Sequence, residues 1–235
     1  KSVRVTKIWR RVAGDNVTSI FELLYKTKDE TGWHCYGGQA LNKPSGTDEE
    51  LTTGNNWANH TDTPNAKGES CKLKTVSSAA TESESTITWS DLPKYDRSGK
   101  ELVYKVIEHP VDGYKTEITT KADSSSGADT STDSADTYAT EYEFTNIELQ
   151  SYTVKKIWQN TDYAEKASDG KYTATFKLQE KTGENSGWTD VTSKMVKDCQ
   201  PVTLSTGEAN GTEEYTWKNL PKYTTVGTEI TYRAV

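Results

Sequence analysis

The sequence predicts an all-β protein made of two tandem antiparallel β-sandwiches, the second of them truncated. Three observations lead to this prediction. Short runs of alternating apolar and polar residues are separated by turns rich in Gly, Pro, Asn and Asp, which is typical of sandwich strands. No stretch keeps a helical period over three turns. Finally, long parts of the chain occur twice, which indicates a tandem array.

The repeat begins with the first strand. Residues 5–9 read Val-Thr-Lys-Ile-Trp, and residues 154–158 read Val-Lys-Lys-Ile-Trp. A Leu-Pro-Lys-Tyr turn follows in both copies, at residues 92–95 and 220–223. Every tryptophan except one has a counterpart in the other copy, so we interpret the paired tryptophans as core or strand-edge anchors rather than as sugar-binding platforms.

Two domains follow from the repeat. The first module is expected over residues 1–149 and carries an insertion at about 37–68 that the second lacks. The second module, over residues 150–235, ends one residue before the counterpart of Glu108. The insertion contains the unmatched tryptophan, Trp57, which is either a stacking platform for a host glycan or matrix protein or part of a solvated decoration. We prefer the second interpretation.

Composition and charge exclude several classes of function. The 235 residues are only 32% hydrophobic, yet they include 13 Tyr and 7 Trp, which a disordered chain would lack. The net charge of −7 argues against nucleic acid or an anionic membrane as a partner. No apolar run approaches the ~20 residues of a membrane helix, and the start at Lys1 has no signal-peptide pattern, as expected of an excised or mature fragment.

The cysteines and histidines predict neither a disulfide scaffold nor a metal site. Cys35, Cys71 and Cys199 are few and odd in number, and neither they nor the three scattered histidines have metal-ligand spacing. We therefore expect no metal and no cofactor. A Cys35–Cys71 disulfide is left open by the sequence, and buried thiols are the preferred expectation.

Three polar residues fall on the apolar face of their strands. Because residues i and i+2 of a strand share a face, Lys7 lies with Val5 and Trp9 in the first strand. The same alternation places Glu108 with Val106, and it places Asn146 with apolar residues of a later strand. Each alone would be a costly buried polar group, whereas together they can satisfy one another.

These residues carry a family resemblance. The opening Val-Thr-Lys-Ile-Trp, the segment Val-Ile-Glu-His-Pro-Val-Asp-Gly-Tyr at residues 106–114 and the Phe-Thr-Asn at residues 144–146 resemble the collagen-adhesin B-type (CnaB) domain. This resemblance implies an Ig-like sandwich from the stalk of a Gram-positive surface adhesin or pilin. It also implies an intramolecular isopeptide bond between Lys7 and Asn146, assisted by Glu108.

The chemistry of such a bond is plausible from the residues themselves. An apolar pocket favours a neutral Lys7 amine that can attack, and it is expected to keep Glu108 protonated, so that Glu108 donates to the Asn146 side-chain oxygen and shuttles protons. The step occurs once per molecule, so the protein is not expected to be a turnover enzyme. The alternative is a buried Lys7–Glu108 ion pair capped by Asn146, with no covalent bond.

In the second module Lys156 is the matching nucleophile, whereas Lys155 points to the opposite face. The Glu and Asn partners are missing from the given sequence, so we expect an unpaired Lys156 amine. The second module is then expected to fold incompletely or to pair with a neighbouring strand.

The expected function is structural. The resemblance implies an extracellular, cell-wall-anchored stalk segment whose partners are the neighbouring modules, in a polymerised pilus or in a single-chain adhesin. The alternative is a binding module that grips host matrix protein or glycan around Trp57. A glycosidase is disfavoured, because it needs paired carboxylates and Glu108 is the one acid that the alternation places inward.

Overall fold

The computed structural model describes residues 1–36, 73–79, 82–96, 98–122, 139–159, 170–192, 199–208 and 210–235. Every regular element within these ranges is a β-strand, so the predicted all-β class is confirmed. The described residues contain no helix that is long and apolar enough to cross a membrane. The chain divides into two compact units, Lys1–Asn146 and Ile147–Val235.

The first unit is a sandwich of two sheets. Its strands are β1 (Val3–Arg10), β2 (Val17–Thr27), β3 (His34–Cys35), β4 (Leu73–Ser78), β5 (Glu82–Trp89), β6 (Leu102–Glu108), β7 (Tyr114–Ala122) and the first part of β8 (Ala139–Ile157). In one sheet β1 lies between β8 and β5, and β7 also pairs with β8. In the other sheet β2 pairs with β3, β4 and β6, antiparallel in each case.

The core of the first unit is formed by the inward faces of both sheets. Strand β1 alternates as the sequence predicts, with Val3, Val5, Lys7 and Trp9 buried. The two sheets meet in one apolar cluster, with Phe21 packed edge-on against Phe144 at 5.2 Å between ring centroids. The buried members of this cluster are Val3, Val5, Phe21, Leu23, Tyr25, Val76, Trp89, Leu92, Leu102, Tyr104, Val106, Tyr142 and Phe144.

The second unit has its own strands and core. They are the remainder of β8, β9 (Tyr172–Phe176), β10 (Leu178–Thr182), β11 (Thr189–Asp190), β12 (Val202–Thr206), β13 (Thr212–Pro221) and β14 (Ile230–Ala234). Strand β13 pairs with β8, β10 pairs with β11 and β14, and β12 pairs with β9, all antiparallel. The buried core members are Leu178, Val191, Cys199, Trp217, Leu220, Ile230 and Tyr232.

Each Leu-Pro-Lys-Tyr turn is anchored in the same way. The Tyr104 hydroxyl donates to the carbonyl oxygen of Pro93 at 2.6 Å, and the Tyr232 hydroxyl donates to that of Pro221 at 2.8 Å. The residue before each leucine has a left-handed backbone, with φ of 57° at Asp91 and 58° at Asn219. These two residue types tolerate that conformation better than most, so the duplicated sequence forms the same local corner in both units.

The cysteines require a correction. Cys35 is disulfide-bonded, so the expectation of a buried thiol is wrong at this position. The alternation pattern could not predict this, because a disulfide depends on the distance between two strands rather than on either strand alone. Cys199 is a buried thiol, as expected. The described residues do not include Cys71, Trp57 or any part of the insertion at about 37–68.

The paired tyrosine anchors give a matched test of the two corners. Replacing Tyr104 or Tyr232 with Phe removes one hydrogen bond and leaves a carbonyl without its donor, so each change is expected to lower the free energy of unfolding by about 1 kcal/mol. Chemical denaturation of each variant measures this loss. Tyr95→Phe, at the exposed tyrosine of the first corner itself, is the control. An unchanged stability in both test variants would contradict the assigned role.

Candidate functional site

The site lies between the sheets of the first unit and is built from four strands. Strand β1 supplies Lys7, the last residue of β6 is Glu108, β7 supplies Thr116 and β8 supplies Asn146. The Lys7 and Glu108 side chains are 0% and 2% exposed, and Asn146 is 0% exposed. The three residues that strand alternation placed inward therefore occupy one dry site.

One carboxylate oxygen connects the amine and the amide. Glu108 Oε1 lies 2.9 Å from Lys7 Nζ and accepts a hydrogen bond from Asn146 Nδ2 at 3.0 Å. The amine and the carboxylate therefore form a close, buried ion pair. On its other side the amine lies 4.5 Å from the centre of the Trp9 ring, an arrangement in which a cation is attracted by the ring face.

Two hydroxyl groups complete the site, and the sequence reasoning did not find them. Thr116 Oγ1 lies 3.1 Å from Glu108 Oε2 and 2.9 Å from Asn146 Oδ1. Ser19 Oγ accepts a long hydrogen bond of 3.5 Å from Asn146 Nδ2. Thr116 belongs to a strand rich in polar residues, where one threonine does not stand out. Ser19 belongs to a strand that is buried on both faces, so alternation does not mark it either.

Burial dominates the electrostatics of Lys7. Loss of water lowers the pKa of the Lys7 amine from 10.5 to about 8, and the neighbouring Glu108 carboxylate opposes this shift without cancelling it. At that value roughly one amine in ten is neutral at pH 7. An amine with an ordinary lysine pKa would be neutral several hundred times less often, so the apolar surroundings supply a nucleophile near physiological pH.

The orientation of the amide differs from the expected one. The sequence argument has Glu108 donating directly to the Asn146 oxygen. In the structure Oδ1 faces the Thr116 hydroxyl instead, and Glu108 accepts from the amide nitrogen. Thr116 lies where it can satisfy Oδ1, so the amide turns its nitrogen toward the carboxylate. Strand alternation identifies which side chains meet but not which atoms of an amide face each neighbour.

One comparison with known proteins finds a family model that matches part of the chain. Residues 53–130 match the family model of the Cna protein B-type domain. This segment of the first unit is therefore similar to a Cna protein B-type domain. The matched segment includes Glu108 and Thr116, whereas Lys7 and Asn146 lie outside it.

The other two comparisons do not extend this match. No curated protein matches the chain. A mutant of the shaft pilin spaA from Lactobacillus rhamnosus GG matches among solved structures, with 13% sequence identity over 100% of this chain and 87% of that one. The TM-score of 0.24 is too low to support an inference about this chain.

The first unit contains a second buried carboxylate. Glu22 is 0% exposed and lies 3.3 Å from His109 Nε2, so the statement that Glu108 alone points inward is wrong. Strand β2 is buried on both faces, so the alternation of its residues does not tell which side chains are exposed. Glu108 is in register with Phe21, so Glu22 faces the opposite side of the sheet. The two acids do not form a glycosidase-like pair.

Lys156, the matching lysine of the second unit, has a different environment from Lys7. Lys156 Nζ lies 5.6 Å from the centre of the Trp158 ring, the same i, i+2 relation as Lys7 and Trp9. It is only half-buried and makes no ion pair with a described residue. The neighbouring Lys155 instead pairs with Glu214 at 3.2 Å, on the exposed face.

The parts of the chain that the structure describes contain no group of three or more His, Cys, Asp or Glu side chains that could hold a metal ion. Trp57, the candidate ligand-binding residue, falls in the segment that is not described.

The lowered pKa of Lys7 predicts a pH dependence in a variant that has no amide to react with, Asn146→Ala. Between about pH 8 and pH 10.5 the unfolded chain keeps a proton on Lys7 that the folded chain has lost. Stability therefore rises with pH across this window, by at most about 1.4 kcal/mol per pH unit. The free energy of unfolding, measured by denaturation at several pH values, tests this.

The control for this experiment is the double variant Lys7→Met, Asn146→Ala, which keeps every other titrating group. The difference in the free energy of unfolding between the two variants isolates the contribution of Lys7. A difference that is flat or falls between pH 8 and pH 10.5 would show that the amine is not held in a desolvated, pKa-lowering site.

Proposed function

We propose that the first unit cross-links itself through an isopeptide bond between Lys7 and Asn146. The observation that carries this proposal is the position of Glu108 Oε1, which lies 2.9 Å from the amine and 3.0 Å from the amide nitrogen. A group in contact with both the nucleophile and the leaving group can take a proton from one and give it to the other.

The reaction replaces one amide with another. Lys7 Nζ attacks Asn146 Cγ, the bond from Cγ to Nδ2 breaks, and ammonia leaves. Glu108 accepts the proton that Nζ loses and delivers a proton to Nδ2. Folding holds the groups together, so the step is effectively unimolecular. It consumes its own reactants and happens once per molecule, which makes it a maturation step and not enzymatic turnover.

The bond would join the first strand of the unit to its last. Lys7 lies in β1 and Asn146 in β8, so nearly the whole unit falls within the closed loop. By analogy with a disulfide that closes a loop of ~100 residues, the cross-link adds on the order of 5 kcal/mol to stability. Tension that enters near one end of the unit and leaves near the other would pass through the covalent bond, not through the hydrogen-bonded sheets.

This mechanical property supports a structural role. The similarity of residues 53–130 to the Cna protein B-type domain and the buried lysine site together favour a stalk segment of a cell-wall-anchored Gram-positive adhesin or pilus. Its partners would be the neighbouring modules of the same stalk. We propose that the second unit is built on the same plan, with Lys156 as the equivalent nucleophile.

Intact mass spectrometry tests the bond directly. The wild-type protein is expected to weigh one ammonia less than its calculated mass. Glu108→Ala removes the proton shuttle and is expected to have the full mass, as is Lys7→Ala, which removes the nucleophile. Lys156→Ala is the matched control, because it removes a lysine from the equivalent place in the second unit and should retain the deficit of one ammonia.

A wild-type protein of full mass would show that the site is a buried ion pair capped by an amide, without a covalent bond. A deficit that disappears in Lys156→Ala and persists in Lys7→Ala would place the bond in the other unit. Peptide mapping then identifies the linked residues, since Lys7 and Asn146 would appear in one branched peptide.

A further inference from the structure

Thr116 has a hydrogen-bonding arrangement that restricts where the protons of the site lie. Its hydroxyl has one hydrogen but lies within hydrogen-bonding distance of two acceptors, Glu108 Oε2 at 3.1 Å and Asn146 Oδ1 at 2.9 Å. If Glu108 is ionised, the hydroxyl can donate to only one of them, and the other contact brings two oxygen lone pairs together. Such a contact is unfavourable here, because the Glu108 and Asn146 side chains are almost fully shielded from water.

Both contacts become hydrogen bonds when Glu108 carries a proton on Oε2. Oε2 then donates to Thr116 Oγ1, and Thr116 Oγ1 donates to Asn146 Oδ1, in a single direction. The other carboxyl oxygen, Oε1, stays free to accept from Asn146 Nδ2 and to face Lys7 Nζ. Moving one proton from Lys7 to Glu108 leaves the net charge of the site unchanged, so this arrangement satisfies both contacts of Thr116 without adding a charge.

We propose that Thr116 is a catalytic residue of the cross-linking reaction, which relays a proton from Glu108 Oε2 to the Asn146 carbonyl oxygen. This inference rests on the isopeptide bond proposed above. The two oxygens of Glu108 then have separate roles. Oε1 exchanges protons with Lys7 Nζ and Asn146 Nδ2, and Oε2 passes a proton to the Asn146 carbonyl oxygen through Thr116.

The proton movements balance. As Nζ attacks Cγ, the Thr116 proton passes to Oδ1 and the Oε2 proton replaces it on Oγ1, which neutralises the developing oxyanion. Oε1 takes the proton that Nζ releases and gives it to Nδ2. When the Cγ–Nδ2 bond breaks, the Oδ1 proton returns through Thr116 to Oε2. The products are the new amide and ammonia, with Glu108 and Thr116 in their starting forms.

The second hydroxyl of the site has a separate place. Ser19 Oγ lies 3.5 Å from Nδ2, on the leaving-group nitrogen, and has no contact with Oδ1 among the described residues. Loss of the Thr116 hydroxyl therefore leaves Oδ1 without a donor at the moment when negative charge develops on it.

The test is the rate of bond formation during refolding. Chains isolated unfolded from inclusion bodies, and so never cross-linked, are diluted out of denaturant at fixed pH, and the loss of one ammonia is followed by mass spectrometry. Thr116→Val is expected to slow the reaction by roughly a hundredfold, and Thr116→Ser, which keeps a hydroxyl, is expected to react at nearly the wild-type rate. Thr120→Val, at an exposed threonine of the same strand, is the matched control.

Folding is measured separately in a Lys7→Met background, which cannot react, so that a folding defect is not mistaken for a chemical one. If Thr116→Val does not fold there, the comparison of Thr116→Ala with Thr116→Ser decides instead, with only the serine variant expected to react quickly. A folded Thr116→Val that reacts at the wild-type rate overturns the relay and leaves the isopeptide bond standing. A wild-type chain that never loses ammonia overturns both.

Discussion

The burial of the Lys7 amine is the constraint on which the first unit depends. A cation removed from water costs several kcal/mol unless it is paired and its partner is satisfied in turn. The partner, Glu108, is almost as dry as the lysine, so it needs hydrogen-bond partners, which Asn146 and Thr116 provide. The strands β1, β6, β7 and β8 must therefore present polar atoms at one level of the sandwich.

A polar site of this kind is a poor way to stabilise a core by itself. Apolar residues of similar volume commonly stabilise a protein as well as, or better than, a buried ion pair. The arrangement makes physical sense when the lysine is a reactant. A desolvated amine with a pKa of about 8 and an amide held against a carboxyl group are consumed if the bond forms, and the cost of burying a titratable amine disappears with them.

Particular residues show how far strand alternation could predict the site. Lys7 and Asn146 were placed correctly because each lies in a strand whose other inward residues are apolar, so the polar exception stands out. Glu22 was missed because β2 is buried on both faces, and alternation cannot separate buried from exposed residues in such a strand. Thr116 was missed because β7 reads Tyr-Lys-Thr-Glu-Ile-Thr-Thr-Lys-Ala, with no apolar stripe against which one threonine could be noticed.

The sequence by itself determined the all-β class, the repeated corner at each Leu-Pro-Lys-Tyr turn and the inward direction of Lys7, Glu108 and Asn146. These properties are local, because a strand's period of two and the backbone preferences of a turn depend on near neighbours in the chain. Only the tertiary structure decided that Cys35 is disulfide-bonded, which way the Asn146 amide faces and that Thr116 joins the site. Each of these depends on distances between strands that are far apart in sequence, and no periodicity within one strand encodes them.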